Sequence, residues 1–245
     1  MDPLTSAAAS GIRARIESLD MLANNIANAS SPGFKADREF FGMYVSAEAS
    51  DSPDGTTPTV LPVIEHQWTD FGQGSITPTG NPLDLALNGK GFFVASGPSG
   101  SIFTRDGSFQ ISKQGQLETL DRYPIQGVDG KPIQLDNTRA ITIGPDGMVR
   151  QDGQDISQIA VVNFQDQASL SKQGDNYFRS DVSTPLPAAN AAIEQGKLEA
   201  GNSQPAESAV RIVTIMRQFE SLQKAMAIGN AMDRQVVQEV AKATS

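Results

Sequence analysis

The chain has no cysteine, a single histidine and a single tryptophan in 245 residues. It can form no disulfide and no thiolate site, and no metal site or Ser–His pair can draw on a second imidazole. His66 stands beside Gln67 and Trp68 and reads as a packed or surface residue rather than a catalyst. No apolar run reaches the roughly 18 residues that a membrane-spanning helix needs. Met1 to Arg13 lacks a basic segment followed by an apolar one, so no ordinary secretory signal is expected. Aromatic residues are 6% and apolar residues, glycine aside, 38% of the chain, a modest store for a core. Part of its apolar surface is therefore expected to be buried between molecules.

Basic residues form no patch suited to nucleic acid or to an anionic membrane. The net charge of −9 is unevenly spread. Residues 1–30 sum to −1 and residues 206–245 to +1, so the middle carries the whole excess. Near-neutral ends can crowd together in many copies, while an acidic middle can face solvent.

The ends are patterned as helices. From Leu4 to about Ala29, Ile12, Leu19 and Ile26 recur seven apart, with Ala8 and Leu22 on a neighbouring row. From Pro205 to Ala243, Ile212, Phe219, Met226 and Val240 share one heptad row, and Ile215, Leu222 and Val236 the next. Such seams are buried against other helices. Pro3 and Pro205 suit first helical turns, where a missing N–H costs nothing. Ser203 is expected to cap the second helix, and Glu207 sits at its positive end. Gly229 and Asp233 interrupt its seam. Pro32 and Gly33 stop the first helix.

The middle reads differently. After the turn come Phe34, Phe40, Phe41, Met43 and Tyr44, then a Ser-, Asp-, Thr- and Pro-rich stretch from Glu48 to Pro62 that reads as an extended linker. From Val63 to Leu198, short apolar stretches alternate with Asn88-Gly89, Asp106-Gly107, Asp129-Gly130, Asp146-Gly147 and Asp152-Gly153. These are hairpin-turn pairs, and the stretches read as antiparallel strands. The fold class is α+β: paired N- and C-terminal helices, coiled-coil-like, flanking an all-β antiparallel middle. The expected domains are 1–33 with 203–245 as a helical assembly domain, 34–62 as an extended linker, and 63–202 as a β-rich outer domain.

Chemistry is absent from the patterns. Gly89-Lys90-Gly91 opens like a dinucleotide fingerprint, but Val94 stands where its last glycine belongs. The Asp-Gly pairs lack the alternating oxygen ligands of a calcium loop. Met216, Met226 and Met232 read as adaptable core. No catalytic residue, cofactor or metal is expected. Asn24, Asn25 and Asn28 read either as residues that fray a helix end or as hydrogen-bonding groups that fix helix register.

Asn24-Asn25-Ile26-Ala27-Asn28-Ala29-Ser30-Ser31-Pro32-Gly33-Phe34-Lys35 resembles the N-terminal signature of bacterial flagellar rod and hook proteins. Asn81 to Phe93, Thr104 to Phe109 with Gly115 to Leu117, Ile143 to Val149, and Gly196 to Asn202 leading into Met216-Arg217-Gln218-Phe219-Glu220 are similar to later motifs of that family. The resemblance runs from end to end and is greatest to the proximal-rod type. It implies a structural, non-enzymatic subunit of the flagellar rod that polymerises through its terminal helices into a hollow axial tube. Such a tube transmits torque and lets exported protein pass.

The implied partners are copies of itself, other rod proteins of the basal body and the flagellar export apparatus. The implied location is the basal body in the periplasmic space, reached through type III export without a cleaved signal. The expected helical interface is Leu19, Leu22, Ile26, Ile212, Ile215, Phe219 and Leu222. The expected motif turn is Asn24, Asn25, Asn28, Gly33 and Phe34. The competing readings are a distal rod or hook protein of the same family, a wall-hydrolysing enzyme whose paired acids sequence cannot reveal, and a free-standing adhesin or coiled-coil protein.

Overall fold

The computed structural model describes residues 3–45, 60–174, 176–180, 184–188 and 190–243. These divide into two compact units. One holds residues 3–27, 37–45, 60–68 and 204–243, and the other residues 28–36 and the described part of 69–203.

The first unit is built on two helices, α1 (Pro3–Ala27) and α2 (Pro205–Ala243). Both are rich in Ala and in unbranched side chains, which lose little freedom in a helix. α1 stops at Asn28, before the turns that lead to Gly33. α2 opens at Pro205 with Glu207 in its first turn, and the Ser208 N–H donates to Gln204 O at 3.0 Å. The Ser203 cap expected from sequence is not made: its hydroxyl is buried without a hydrogen-bond partner. With Pro205 as the first helical residue, Gln204 holds the capping position, and Ser203 lies one residue too early.

Two strands, β1 (Asp37–Val45) and β2 (Val60–Thr69), pair as a ribbon in the same unit. This revises the expected linker over 34–62. Its first residues, 34–36, belong to the second unit, 37–45 is strand, and β2 begins within it. The apolar, β-favouring run from Phe40 to Val45 outweighs the turn-rich composition that follows it. The heart of that stretch, 46–59, lies outside the described residues.

The second unit is built of β-strands, with a 3-10 turn at Gln167–Ser169. Its strands are β3 (Ile76–Pro78), β4 (Leu85–Asn88), β5 (Phe92–Gly97), β6 (Gly100–Thr104), β7 (Phe109–Ile111), β8 (Leu117–Thr119), β9 (Ile141–Ile143) and β10 (Met148–Gln151). There follow β11 (Gln154–Gln158), β12 (Val161–Asn163), β13 (Leu170–Lys172), β14 (Tyr177–Ser180), β15 (Leu186–Pro187), β16 (Ala192–Gln195) and β17 (Lys197–Glu199). The largest sheet runs β13-β14-β6-β5-β12-β15. A three-stranded sheet runs β11-β10-β9, and β16-β4, β17-β3 and β7-β8 form pairs.

Strand β5 shows why the body holds together. Successive side chains point to opposite faces of a strand. Phe93 and Ala95 enter a core with Leu85, Leu117, Ile125 and Val149, while Phe92 and Val94 enter another with Phe103, Phe164 and Phe178. The central sheet is therefore buried on both faces, so its sequence reads as a continuous apolar run rather than an alternating one.

Two of the five expected turn pairs close hairpins between adjacent strands: Asp146-Gly147 joins β9 to β10, and Asp152-Gly153 joins β10 to β11. Asp152 and Gly153 both have positive φ, as a two-residue hairpin turn of this type requires. Asp129-Gly130 makes a tight turn in which Gly127 N–H bonds to Lys131 O. Asn88-Gly89 and Asp106-Gly107 instead lead out of strands whose partners lie elsewhere, since β4 pairs with β16 and β6 with β5 and β14.

Candidate functional site: assembly helices and motif turn

In the helical unit, Met21, Leu22 and Ile215 are buried together, with Leu19 and Ile212 packed against them. Four of the seven expected interface residues thus meet within one chain. Ile26, Phe219 and Leu222 are half-buried and lie outside that cluster. Met21 was not expected. The buried stripe of α1 runs through Ala8, Gly11, Ala14, Ser18, Leu22 and Asn25. It follows helical spacing but is made largely of small and polar residues, so a search for large apolar residues finds the neighbouring row of Ile12, Leu19 and Ile26 instead.

α1 has 25 residues and α2 has 39, or about 37 and 58 Å at 1.5 Å per residue. The longer helix leaves apolar side chains in solvent. Val210, Val213, Met216, Ile228 and Met232 are all more than half exposed. Gly229 is buried, and the Asp233, Val236 and Val240 side chains lie outside the described residues.

The asparagines of the motif divide their work. Asn25 donates through Nδ2 to Asp37 O at 2.8 Å and accepts the Asp37 N–H at 3.0 Å. Its amide therefore binds a strand, as a neighbouring strand would, and not the second helix. Asn24 is exposed. Asn28 accepts the Ser31 N–H at 3.0 Å and the Ser31 hydroxyl at 3.4 Å, forming the first turn after α1.

From Asn28 the chain belongs to the β unit, and there the rest of the motif is locked. Gly33 has φ +67, and a Cβ placed on it would lie 2.2 Å from Asp106 N and 2.3 Å from Arg105 C. Its N–H donates to Glu199 O at 2.8 Å. The Phe34 ring is buried, with Lys172 Nζ 5.0 Å from its centroid. Asn202 accepts the Ala36 N–H at 2.7 Å and donates to Asp70 O at 2.6 Å.

The chemical centre of this arm is Lys35, which sequence reading did not single out as a site. Its Nζ donates to Glu199 Oε1 at 2.6 Å and to Gly72 O at 2.8 Å. Glu199 Oε1 also accepts the Gly74 N–H at 2.8 Å. Arg105 Nε lies 3.6 Å from Glu199 Oε2, which has no hydrogen-bond partner. Arg105 also donates to Gly89 O at 2.7 Å, and its guanidinium sits 5.9 Å from the Phe92 ring centre. All three charged groups are buried. Burial lowers the pKa of Lys35, and Glu199 opposes that shift in part; burial lowers Arg105 in the same way. The signal that could have found Lys35 is its place at the end of the motif, directly after the buried Phe34.

Among the described residues there is no group of three or more acidic or histidine side chains able to hold a metal ion. No described helix is long and apolar enough to cross a membrane.

Two protein families match the chain. One described as "Flagella basal body rod protein" matches residues 6–35, which span α1 and the motif turn. One described as "Flagellar hook protein FlgE/F/G D1 domain" matches residues 86–151, from β4 to β10. The chain is 35% identical over 226 residues to the flagellar basal-body rod protein FlgF of Caulobacter vibrioides, covering 91% of this chain and 92% of the relative. It is 32% identical to the flagellar basal-body rod protein FlgG of Buchnera aphidicola subsp. Schizaphis graminum, covering 91% and 94%. It is 30% identical to the FlgF protein of Mesorhizobium japonicum, covering 83% of each.

Proposed function

Because the chain belongs to the flagellar basal-body rod protein family, we propose that its helices pair in coiled-coil fashion and that pairs from successive subunits pack into a hollow axial tube. The chain is a structural subunit of the rod in the basal body and not an enzyme. In the proposed assembly, contacts are head-to-tail and propagate as a helix, and the acidic β unit lies outside the tube. The tube transmits torque and passes exported protein. Export through the flagellar apparatus without a cleaved signal, and residence in the periplasmic space, complete this reading. The proximal, FlgF-type position is favoured over a distal rod or hook role by the 35% match to an FlgF protein.

One observation carries the assembly reading. α2 outruns α1 by more than a third of its own length, and Ile228 and Met232 on it are 61% exposed. Apolar side chains at such spacing are covered by other helices, which other rod subunits supply. The test is deletion of residues 206–245. The account expects a soluble, folded β unit that is absent from purified basal bodies. Incorporation of the truncated protein at normal levels would exclude α2 as the assembly element.

A further inference from the structure

The chain passes between the helical and β units at four places, after residues 27, 36, 68 and 203. Inside the β unit, the segments next to those places gather around residues 199–202. Two side chains of that outgoing segment make the ties. The inner one is Glu199, which holds Lys35 Nζ at 2.6 Å and the Gly74 N–H at 2.8 Å.

The outer one is Asn202. Its Oδ1 accepts the Ala36 N–H at 2.7 Å, and its Nδ2 donates to Asp70 O at 2.6 Å and to Gly72 O at 3.0 Å. An asparagine amide offers two N–H donors and a carbonyl acceptor. Here both donors and the acceptor are engaged, on two different segments. The Asn202 N–H donates to Phe34 O at 3.2 Å, and the Asp70 N–H donates to Ala36 O at 2.8 Å, which closes the triangle. Residues 28 and 29 arrive at the same point: a Cβ added to Gly201 would lie 2.9 Å from Ala29 O and 3.3 Å from Asn28 O.

Force that enters along α2 at residue 203 meets Asn202 first. The outgoing segment pairs with β3 from Lys197 to Glu199, and its Ala200 N–H bonds to Ser75 O at 2.8 Å. Asn202 continues that attachment through its side chain and extends it to the incoming arm. The segment cannot peel from its end without drawing on residues 34–36 and 70–72 together. Bonds loaded together must break together, whereas bonds loaded in turn break one at a time.

We propose that Asn202 is a positioning residue that makes these segments share force, so that a load arriving through α2 enters the β unit on three stretches of backbone rather than one. The inference rests on the torque-transmitting reading for its purpose. Its measurement concerns a single molecule and needs no rod, so it can fail while the rod reading stands, and the incorporation test of residues 206–245 can fail while it stands.

The absence of cysteine makes a direct test possible. Met216→Cys on α2 and Val128→Cys on the β unit, both exposed, carry handles for pulling the full chain in an optical trap. A second pair, Val128→Cys and Leu186→Cys, also exposed, pulls the β unit against itself. Forced unfolding reads the barrier along the pulled direction. Asn202→Ala is expected to lower the rupture force of the β unit on the first axis and to add a short early step as residues 197–203 peel away. The force on the second axis is expected to stay at the parent value. Asn202→Asp, which keeps an acceptor for the Ala36 N–H and loses both donors, is expected to fall between the two on the first axis. Equal loss on both axes would overturn the proposal, since Asn202 would then add general stability only. So would an unchanged force on the first axis, or a β unit that folds in neither variant.

Discussion

Lys35 Nζ and Glu199 Oε1 lie 2.6 Å apart, fully buried, across 164 residues of sequence. One belongs to the segment that has left α1, and the other closes the last strand before α2. The β unit therefore holds the incoming and outgoing chain at one point, with Arg105 as a second cation on the same carboxylate. Removing Glu199 as Glu199→Ala leaves two buried cations without their anion. We expect a loss of about 3–5 kcal/mol, the range for breaking a buried pair. Lys35→Met combined with Glu199→Gln should cost clearly less than the sum of the single changes, because no amine is then stranded. Urea unfolding followed by tyrosine absorbance, with Tyr123 and Tyr177 both in the β unit, measures each variant. Strict additivity would contradict the pairing.

Gly33 tests the arm sterically. At φ +67 a side chain is strained by about 1–2 kcal/mol, and here its Cβ would also collide with the backbone of Arg105 and Asp106. Gly130 has a similar φ of +74 but nothing within 4 Å of the added atom. Gly130→Ala should cost about 1–2 kcal/mol and Gly33→Ala clearly more, as read by denaturant midpoints. Equal effects would mean that the arm is free to lift.

The outline was legible because its signals are local. Proline at both helix starts, heptad rows and Asp-Gly pairs each act through adjacent residues, and both helices lie within two residues of their expected ends at all four termini. What escaped was set by distant contacts. Nothing adjacent in sequence marks Ser18, and Asn25 reads as a residue that frays the helix end or fixes helix register, until Glu39 and Asp37 arrive beside them. Lys35 closes the motif with no role that its neighbours in sequence reveal, and its partner Glu199 stands 164 residues away. The linker expected over 34–62 followed composition, whereas pairing with β2 decides the state of residues 37–45.

Asp106 gives a pH signature. Burial raises its pKa above the ordinary 3.8, with the Ser108 hydrogen bond opposing and the Asp121 and Asp84 charges adding to the rise. A carboxyl raised on folding contributes stability that is complete below its ordinary value and is lost as pH rises through the folded one. Asp106→Asn keeps an acceptor for the Ser108 N–H and removes the titration. The variant should therefore gain stability relative to the parent near neutrality, and the gain should shrink as pH falls toward 3.8. Thermal midpoints across that window measure it, and a gap that widens on acidification would contradict the assignment.

Leu22 and Leu222 should behave oppositely in the isolated chain. Leu22 is 1% exposed in the helix cluster, so Leu22→Ala is expected to cost about 2–5 kcal/mol. The single tryptophan, Trp68, lies in the same unit, and its fluorescence reports that loss. Leu222 is half-buried and outside the cluster, so its replacement should leave the isolated chain nearly as stable as before.

The most direct test of the rod-subunit assembly exploits that difference. Leu222→Asp, expressed in cells lacking the native protein, is followed into purified basal bodies by immunoblot. The account predicts a folded protein, with helix content and denaturation midpoint close to the parent, that is missing from the basal bodies. Normal incorporation of Leu222→Asp would contradict assembly through α2.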